Sequence, residues 1–327
     1  MFGNTLGWII SAVITAVAAF GAYLLVLAGI PTAPTEFLQT VAKPLALMQS
    51  AGPFLKENDT SADAGALYRQ AIQDYENQSQ KYDAIQHESD YPKAKAMAAG
   101  LPGLAKLVQA SNARCIGIFA GDPGKIINFD DHPDDLQAID GIAKTAGMLS
   151  TLAKFDKDYP TARDYARAEL VLGLRLYQER LAYLELAEGE TLIGNGIAAL
   201  VNVDEAGPSS SAAAQADNAF KAQYLNETKE VQQPIVAVMF NIGDSSINAN
   251  AGNMFAIATG SNYDRVWRVE AIHHLGRLQF NSDNKADQVK ATRVLKELSN
   301  DPKEDAIIQL AAKQSRDMTE SEYQSQR

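Results

Sequence analysis

Apolar residues recur at helical spacing along most of the chain, and this pattern predicts helices rather than strands. In "SADAGALYRQAIQDYENQSQKYDAIQ" (61–86), Ala64, Leu67, Ala71, Tyr75, Tyr82 and Ile85 share a face, with Ser61 or Asp63 as N-cap. Gly100 and Pro102 split the next stretch into a short helix and one near 103–120, and another helix is expected over about 134–155. The strongest signal is 160–188, where Leu170, Leu174, Tyr177, Leu181 and Leu184 form a 4-3-4-3 seam. Val171, Leu172, Leu176 and Leu186 add apolar area outside that seam, so this helix should be sandwiched between neighbours. The small polar run 203–217 reads as a loop or module boundary, and a helix kinked at Pro234 should span about 212–240. "KIINF" and "ALVNV" look strand-like but are too few for a sheet.

The C-terminal part repeats at a fixed step. "VEAIHHLGRL" begins at 269, "VKATRVLKEL" at 289 and "QLAAKQSRDM" at 309, a step of 20 residues. Ala271, Ala291 and Ala311 coincide, as do Leu275, Leu295 and the polar exception Ser315, and then Leu278, Leu298 and Met318. One step back, Ala251, Phe255 and Ala258 fill the same slots. The joints "SNYD", "FNSDN" and "SNDP" are rich in helix breakers. A small residue in the first slot lets neighbouring helices approach closely.

Two such helices make a unit of about 40 residues. Through "VEAIHHLGRL" and "NDPKEDAIIQLAAKQSRDM", the C-terminal quarter resembles HEAT-type helical repeats. Residues 61–86 and 160–188 look loosely like tetratricopeptide helices in their Ala, Tyr and Leu spacing. The resemblance implies a stacked-helix scaffold of the kind used to bind other proteins.

Residues 7–29, "GWIISAVITAVAAFGAYLLVLAG", carry no Asp, Glu, Lys, Arg or His. At ~1.5 Å per residue they reach ~34 Å, enough to cross a hydrocarbon core of ~30 Å. The run exceeds the apolar core of a cleaved signal peptide, and "MFGNTL" before it has no basic residue. The expectation is an uncleaved single-pass anchor in a lipid bilayer. Lys43 and Lys56, the first basic residues after it, argue for a cytoplasmic body but lie far from the edge. An N-terminal span ahead of a long domain also has the form of an export signal, and an extracytoplasmic body is the orientation adopted.

The expected fold is therefore all-α: a transmembrane helix followed by an α-solenoid or irregular bundle of antiparallel helix pairs. The divisions are an anchor (1–30), a spacer with a short kinked helix (31–60), a helical domain (61–202), a low-complexity loop (203–216) and HEAT-like repeats (217–327).

Charge narrows the partners. The chain has 29 Lys and Arg against 40 Asp and Glu, a net charge of −11. An acidic surface repels phosphate backbones, so no nucleic-acid partner is expected. The single cysteine, Cys115, excludes an intrachain disulfide and a cysteine-rich zinc site. Its apolar context reads as an inert thiol.

Candidate chemistry is sparse. His273 and His274 are adjacent, so on a helix they point ~100° apart and cannot grip one ion together; the helical metal pattern needs i, i+4 spacing. His273, on the side of Glu270 and Arg277, reads as solvated, and His274, at the edge of the Trp267–Ala271–Leu278 stripe, as a boundary histidine. "DDHPDD" gathers Asp130, Asp131, His132, Asp134 and Asp135, oxygen-rich enough for a weak Ca²⁺ or Mg²⁺ site. It lacks EF-hand spacing and reads instead as a solvated loop in which Asp134 caps the next helix. "GDPGK" fails as a phosphate loop, since Phe119 and Ile126 occupy the positions that require Gly and Ser or Thr. No catalytic residue, cofactor or metal ligand is assigned. The expected function is a membrane-tethered, non-catalytic scaffold for protein partners. The alternatives are a structural subunit of a membrane complex, packing through Gly21 and "AVAAFGA", and an enzyme or cation binder using 130–135.

Overall fold

The computed structural model describes residues 46–55, 59–127, 133–207, 210–228, 244–280 and 284–325. The anchor candidate 7–29 and the kink candidate Pro234 lie outside them. No helix among the described residues is long and apolar enough to cross a membrane.

The described chain is all-α. Its helices are α1 (Ala46–Ser50), α2 (Ala64–Gln86), α3 (Tyr91–Ala98), α4 (Pro102–Ala110), α5 (Asp134–Phe155), α6 (Tyr159–Glu179), α7 (Tyr183–Ala206), α8 (Ser211–Glu227), α9 (Asp244–Thr259), α10 (Arg265–Leu278), α11 (Lys285–Asn300), α12 (Ala306–Asp317) and α13 (Glu320–Ser325). Two short strands, β1 (Asp59–Asp63) and β2 (Ala113–Arg114), pair in parallel. Neither coincides with the strand-like runs of the sequence: "ALVNV" lies inside α7, and Lys125 of "KIINF" closes a 3₁₀ turn.

Local chemistry explains several helix starts. The Asp63 carboxylate accepts from the N–H groups of Gly65 (3.1 Å) and Ala66 (3.2 Å), capping α2 as expected. Asp158 caps α6, with Pro160 in the first turn, where a missing N–H does no harm. The α5 prediction holds to its bounds, but its cap is Pro133, with Asp134 the first helical residue rather than the cap.

Helix α6 is the centre of the molecule. Every residue from Ala168 to Tyr177 is buried, as the apolar excess on several sides predicts. It packs on α4, α5 and α7. The predicted helix over 160–188 is in fact two. Arg180 adopts a left-handed conformation (φ 33°) and turns the chain into α7, and its guanidinium pairs with Asp264 at 3.0 Å. The α6–α7 hairpin is so close that backbones touch. A Cβ on Gly173 would lie 2.7 Å from the Gly189 carbonyl oxygen, and one on Gly196 would lie 2.5 Å from the Leu170 nitrogen.

The expected helix near 103–120 stops at Ala110. Beyond it, the chain gives its N–H groups to a distant carboxylate: Glu179 of α6 accepts from Ile118 (2.6 Å) and Phe119 (2.9 Å). A tertiary acceptor therefore overrides local helical preference.

In the C-terminal part the 20-residue register is buried. Ala271, Ala291 and Ala311 are each 0% exposed, and Leu275, Leu295 and Ser315 likewise. Within α9–α12 each helix contacts the next, α9 also meets α11, and α10 also meets α12. One hydrophobic cluster continues from Leu47 to Ala312.

Candidate functional site

The acidic loop is only partly within the described residues: Asp130, Asp131 and His132 lie outside them. Asp134 is exposed, and Asp135 is buried with its carboxylate 3.0 Å from the Lys125 ammonium. Asp135 thus faces a cation supplied by the chain itself. Among the described residues, no group of three or more His, Cys, Asp or Glu could hold a metal ion.

The histidines depart from expectation. His273, read as solvated, is only 9% exposed, and His274 is buried too. The helical wheel places His273 with Glu270 and Arg277, but α10 is packed by α7, α9, α11 and α12, so its charged edge is covered as well. Burial, then His274 and Arg277, push His273 down to about 3; burial and Arg277 push His274 down to about 4. Both rings are neutral near pH 7. His274 Nε2 lies 3.4 Å from the Glu270 carboxylate.

Two cavities draw polar side chains together. The first, of about 340 Å³, lies between α5, α6 and α7 and is lined by Asp140, Lys144, Glu169 and Asn195. Glu169 is buried and approaches α5 at Gly147, where a Cβ would stand 3.2 Å from its Oε2. Burial, with Asp140 and Glu188 adding repulsion against the Asn195 hydrogen bond, pushes Glu169 up to about 8. Lys144 is already engaged by Asp140 at 2.5 Å. Glu169 is therefore a neutral acid near pH 7, able to donate a hydrogen bond.

Burial likewise lifts Glu188 to about 7 and Glu190 to about 8, and raises Glu185 well above its ordinary value. The sign follows from proton linkage. A raised carboxyl contributes stability below its unfolded value of 4.5, and that contribution is lost as pH rises through about 7 to 8. The depressed histidines do the opposite: their contribution is present above 6.5 and lost as pH falls towards 3 to 4. Between 4.5 and 6.5 the two oppose; above 6.5 the histidines drop out. Each carboxyl held protonated then gives a slope of ~1.4 kcal/mol per pH unit. The thermal midpoint should fall as pH is raised from 6.5 to 8, and Glu169→Gln should flatten part of that fall. A midpoint that rises over this range would contradict the assignment.

The second cavity, of about 370 Å³, lies at the α6–α7 joint. Arg175, Gln178 and Glu179 come from α6, Cys115 from the segment after β2, Arg265 from α10 and Ile307 from α12. Arg175 is buried and donates to the Ala113 carbonyl at 3.3 Å. Arg265 donates to the Glu179 carbonyl at 2.9 Å. Glu185 closes the joint by accepting from the Leu181 N–H at 2.6 Å. Cys115 is half-buried, and burial pushes its thiol up to about 11, so it is neutral near pH 7 and unsuited to nucleophilic attack.

Sequence reasoning passed over Glu169 and Arg175. Their signal was present: in "AELVLGLRLY" each interrupts an otherwise apolar run, and a charged residue inside a buried helix needs a local reason. Arg265 carried no such signal, because only the tertiary fold brings it to Glu179.

Comparison with protein-family models, with curated proteins and with solved structures gives no match to this chain.

Proposed function

We propose that this chain is a non-catalytic helical scaffold, tethered to a bilayer by residues 7–29, that binds a protein partner on the α9–α12 stack. The observation that carries the reading is the buried 20-residue register, small residue first and larger residues after, in helices that contact the next and the next but one. Stacks of this kind leave an outer ridge free for partners. Here α11 supplies one: Val289 is 71% exposed, and Arg293, Lys296 and Glu297 are exposed beside it. An exposed apolar side chain among charged neighbours is the kind of contact a protein partner would use here. The tether rests on the composition of 7–29, and holding the body at a membrane would raise its local concentration towards partners there.

The test is photocrosslinking in the native membrane from probes at Val289 and Arg293, with a probe at the exposed Phe155 of α5 as control. A discrete adduct from α11 is expected, absent from the control and lost in a Val289→Asp variant carrying the Arg293 probe. Adducts that form only from probes within 7–29 would overturn the scaffold reading in favour of a structural subunit packed through its span.

A further inference from the structure

We propose that the partner segment seated on the outer face of α11 is acidic, held by Lys285, Arg293 and Lys296 around Val289. The assignment rests on the scaffold reading above and names the chemistry of its partner. Helix α11 turns Ala291, Val294, Leu295 and Leu298 to the core. At ~100° per residue, Val289 points away from that face, and Lys285, Arg293 and Lys296 fall within ~40° of it. All four are exposed. The two acids of the helix lie off this stripe, Glu297 by ~80° from Val289 and Asp287 by ~160°. Arg293 meets Glu297 at 3.9 Å, with the side chains 67% and 68% exposed, a loose pair that another carboxylate can replace. Lys290 lies outside the stripe, its ammonium 4.0 Å from the centre of the Phe255 ring of α9.

The stripe runs against the charge of the molecule. With the four basic and two acidic residues of α11 set aside, the chain carries 25 basic against 38 acidic residues. An acidic segment is therefore disfavoured by the rest of the chain and attracted here, which gives the ridge selectivity as well as contact. From Lys285 to Lys296 the stripe is ~17 Å long. A single chain segment can follow it, placing an apolar side chain on Val289 and carboxylates on the three cations. An anionic bilayer is a plane; laid on α11 it would also meet the exposed Glu297 and Asp301 and the acidic body behind them. The favoured partner is thus a protein segment rich in Asp or Glu rather than a lipid surface.

The full-length protein in neutral detergent is titrated with a fluorescein-labelled peptide of glutamate and leucine, and with the same peptide carrying glutamine in place of glutamate. The glutamate peptide should bind, the glutamine peptide should not, and added sodium chloride should weaken the complex. Lys285→Gln, Arg293→Gln and Lys296→Gln together should weaken it about tenfold, since three solvent-exposed pairs are lost. A second triple variant, Lys81→Gln, Lys93→Gln and Lys157→Gln, removes the same net charge at exposed positions in the other half of the chain and should leave binding unchanged. Equal weakening by both triples, or no binding of the glutamate peptide to the unaltered protein, would overturn the acidic assignment. Competition by short-chain phosphatidylserine as strong as that by unlabelled glutamate peptide would overturn it in favour of a lipid surface. The native-membrane probe at Val289 separates this assignment from the scaffold reading. A protein adduct lost in the Lys285, Arg293 and Lys296 triple variant is expected. An adduct that persists there would leave the scaffold standing and overturn its acidic partner. An adduct absent even from the unaltered protein would instead remove the scaffold reading, and the partner with it.

Discussion

Gly196→Ala should destabilise the protein by about 3 kcal/mol, even though alanine is the better helix former by roughly 1 kcal/mol. The reason is the α6–α7 hairpin. A methyl group on residue 196 would lie 2.5 Å from the Leu170 nitrogen and 2.7 Å from its Cα, and both are backbone atoms of the buried stretch 168–177 of α6. A side chain could rotate aside; a helix backbone clamped between α4, α5 and α7 cannot. Gly173 and Gly189 meet at the same seam, so the hairpin has no slack on which to slide. Gly252 in α9 supplies the control, because nothing lies within 4 Å of the Cβ it lacks. Gly252→Ala should stabilise by ~0.5–1 kcal/mol. Chemical denaturation of both variants checks the pair, and a Gly196→Ala protein as stable as the parent would show that the seam is looser than described.

The second large effect belongs to Arg268. Its Nη1 and Nη2 donate to the two Glu304 oxygens at 2.9 and 2.6 Å, and its Nε donates to the Ala258 carbonyl at 3.2 Å. One buried side chain thus joins the end of α9, the body of α10 and the turn before α12. Arg268→Met keeps much of the aliphatic volume but leaves Glu304 without the cation that holds its carboxyl below the usual range. Breaking a buried pair from one side typically costs ~3–5 kcal/mol. Glu304 retains some access to water, with its side chain 17% exposed, so the lower end of that range, about 3 kcal/mol, is expected. The double variant Arg268→Met, Glu304→Leu should recover part of the loss, since removing both charges removes the stranded one. A single-variant loss below about 1 kcal/mol would place the pair among weak surface bridges instead.

The elements most legible in the sequence were those whose signals are local. Helix α5 follows Pro133, an acidic first turn and an unbroken apolar face, and nothing distant competes with these. The 20-residue register was legible because packing fixes it: the first slot faces a neighbouring helix, where Ala271, Ala291 and Ala311 fit. The end of α6 was not legible. Leu181 and Leu184 continue the seam beyond Glu179, so the pattern extends the helix, whereas the break at Arg180 is held by Asp264, 84 residues away. The same kind of long-range contact hid the cavity at this joint, because Arg265 and Glu179 become neighbours only when the fold is complete. His273 was misjudged for a related reason: a helical wheel shows one helix, and the burial of α10 is set by four others.

The enclosure of α6 also sets where the molecule opens last. Amide deuterium exchange requires a backbone N–H to separate from its acceptor and meet solvent, and residues 168–177 are buried on every side. Their protons should exchange only through global unfolding, while those on the water-facing side of α11 escape through local fraying. Exchange rates should therefore fall into a slow tier centred on α6 and its α7 partner and a faster tier in α11, a hierarchy that mass spectrometry of peptic fragments would resolve.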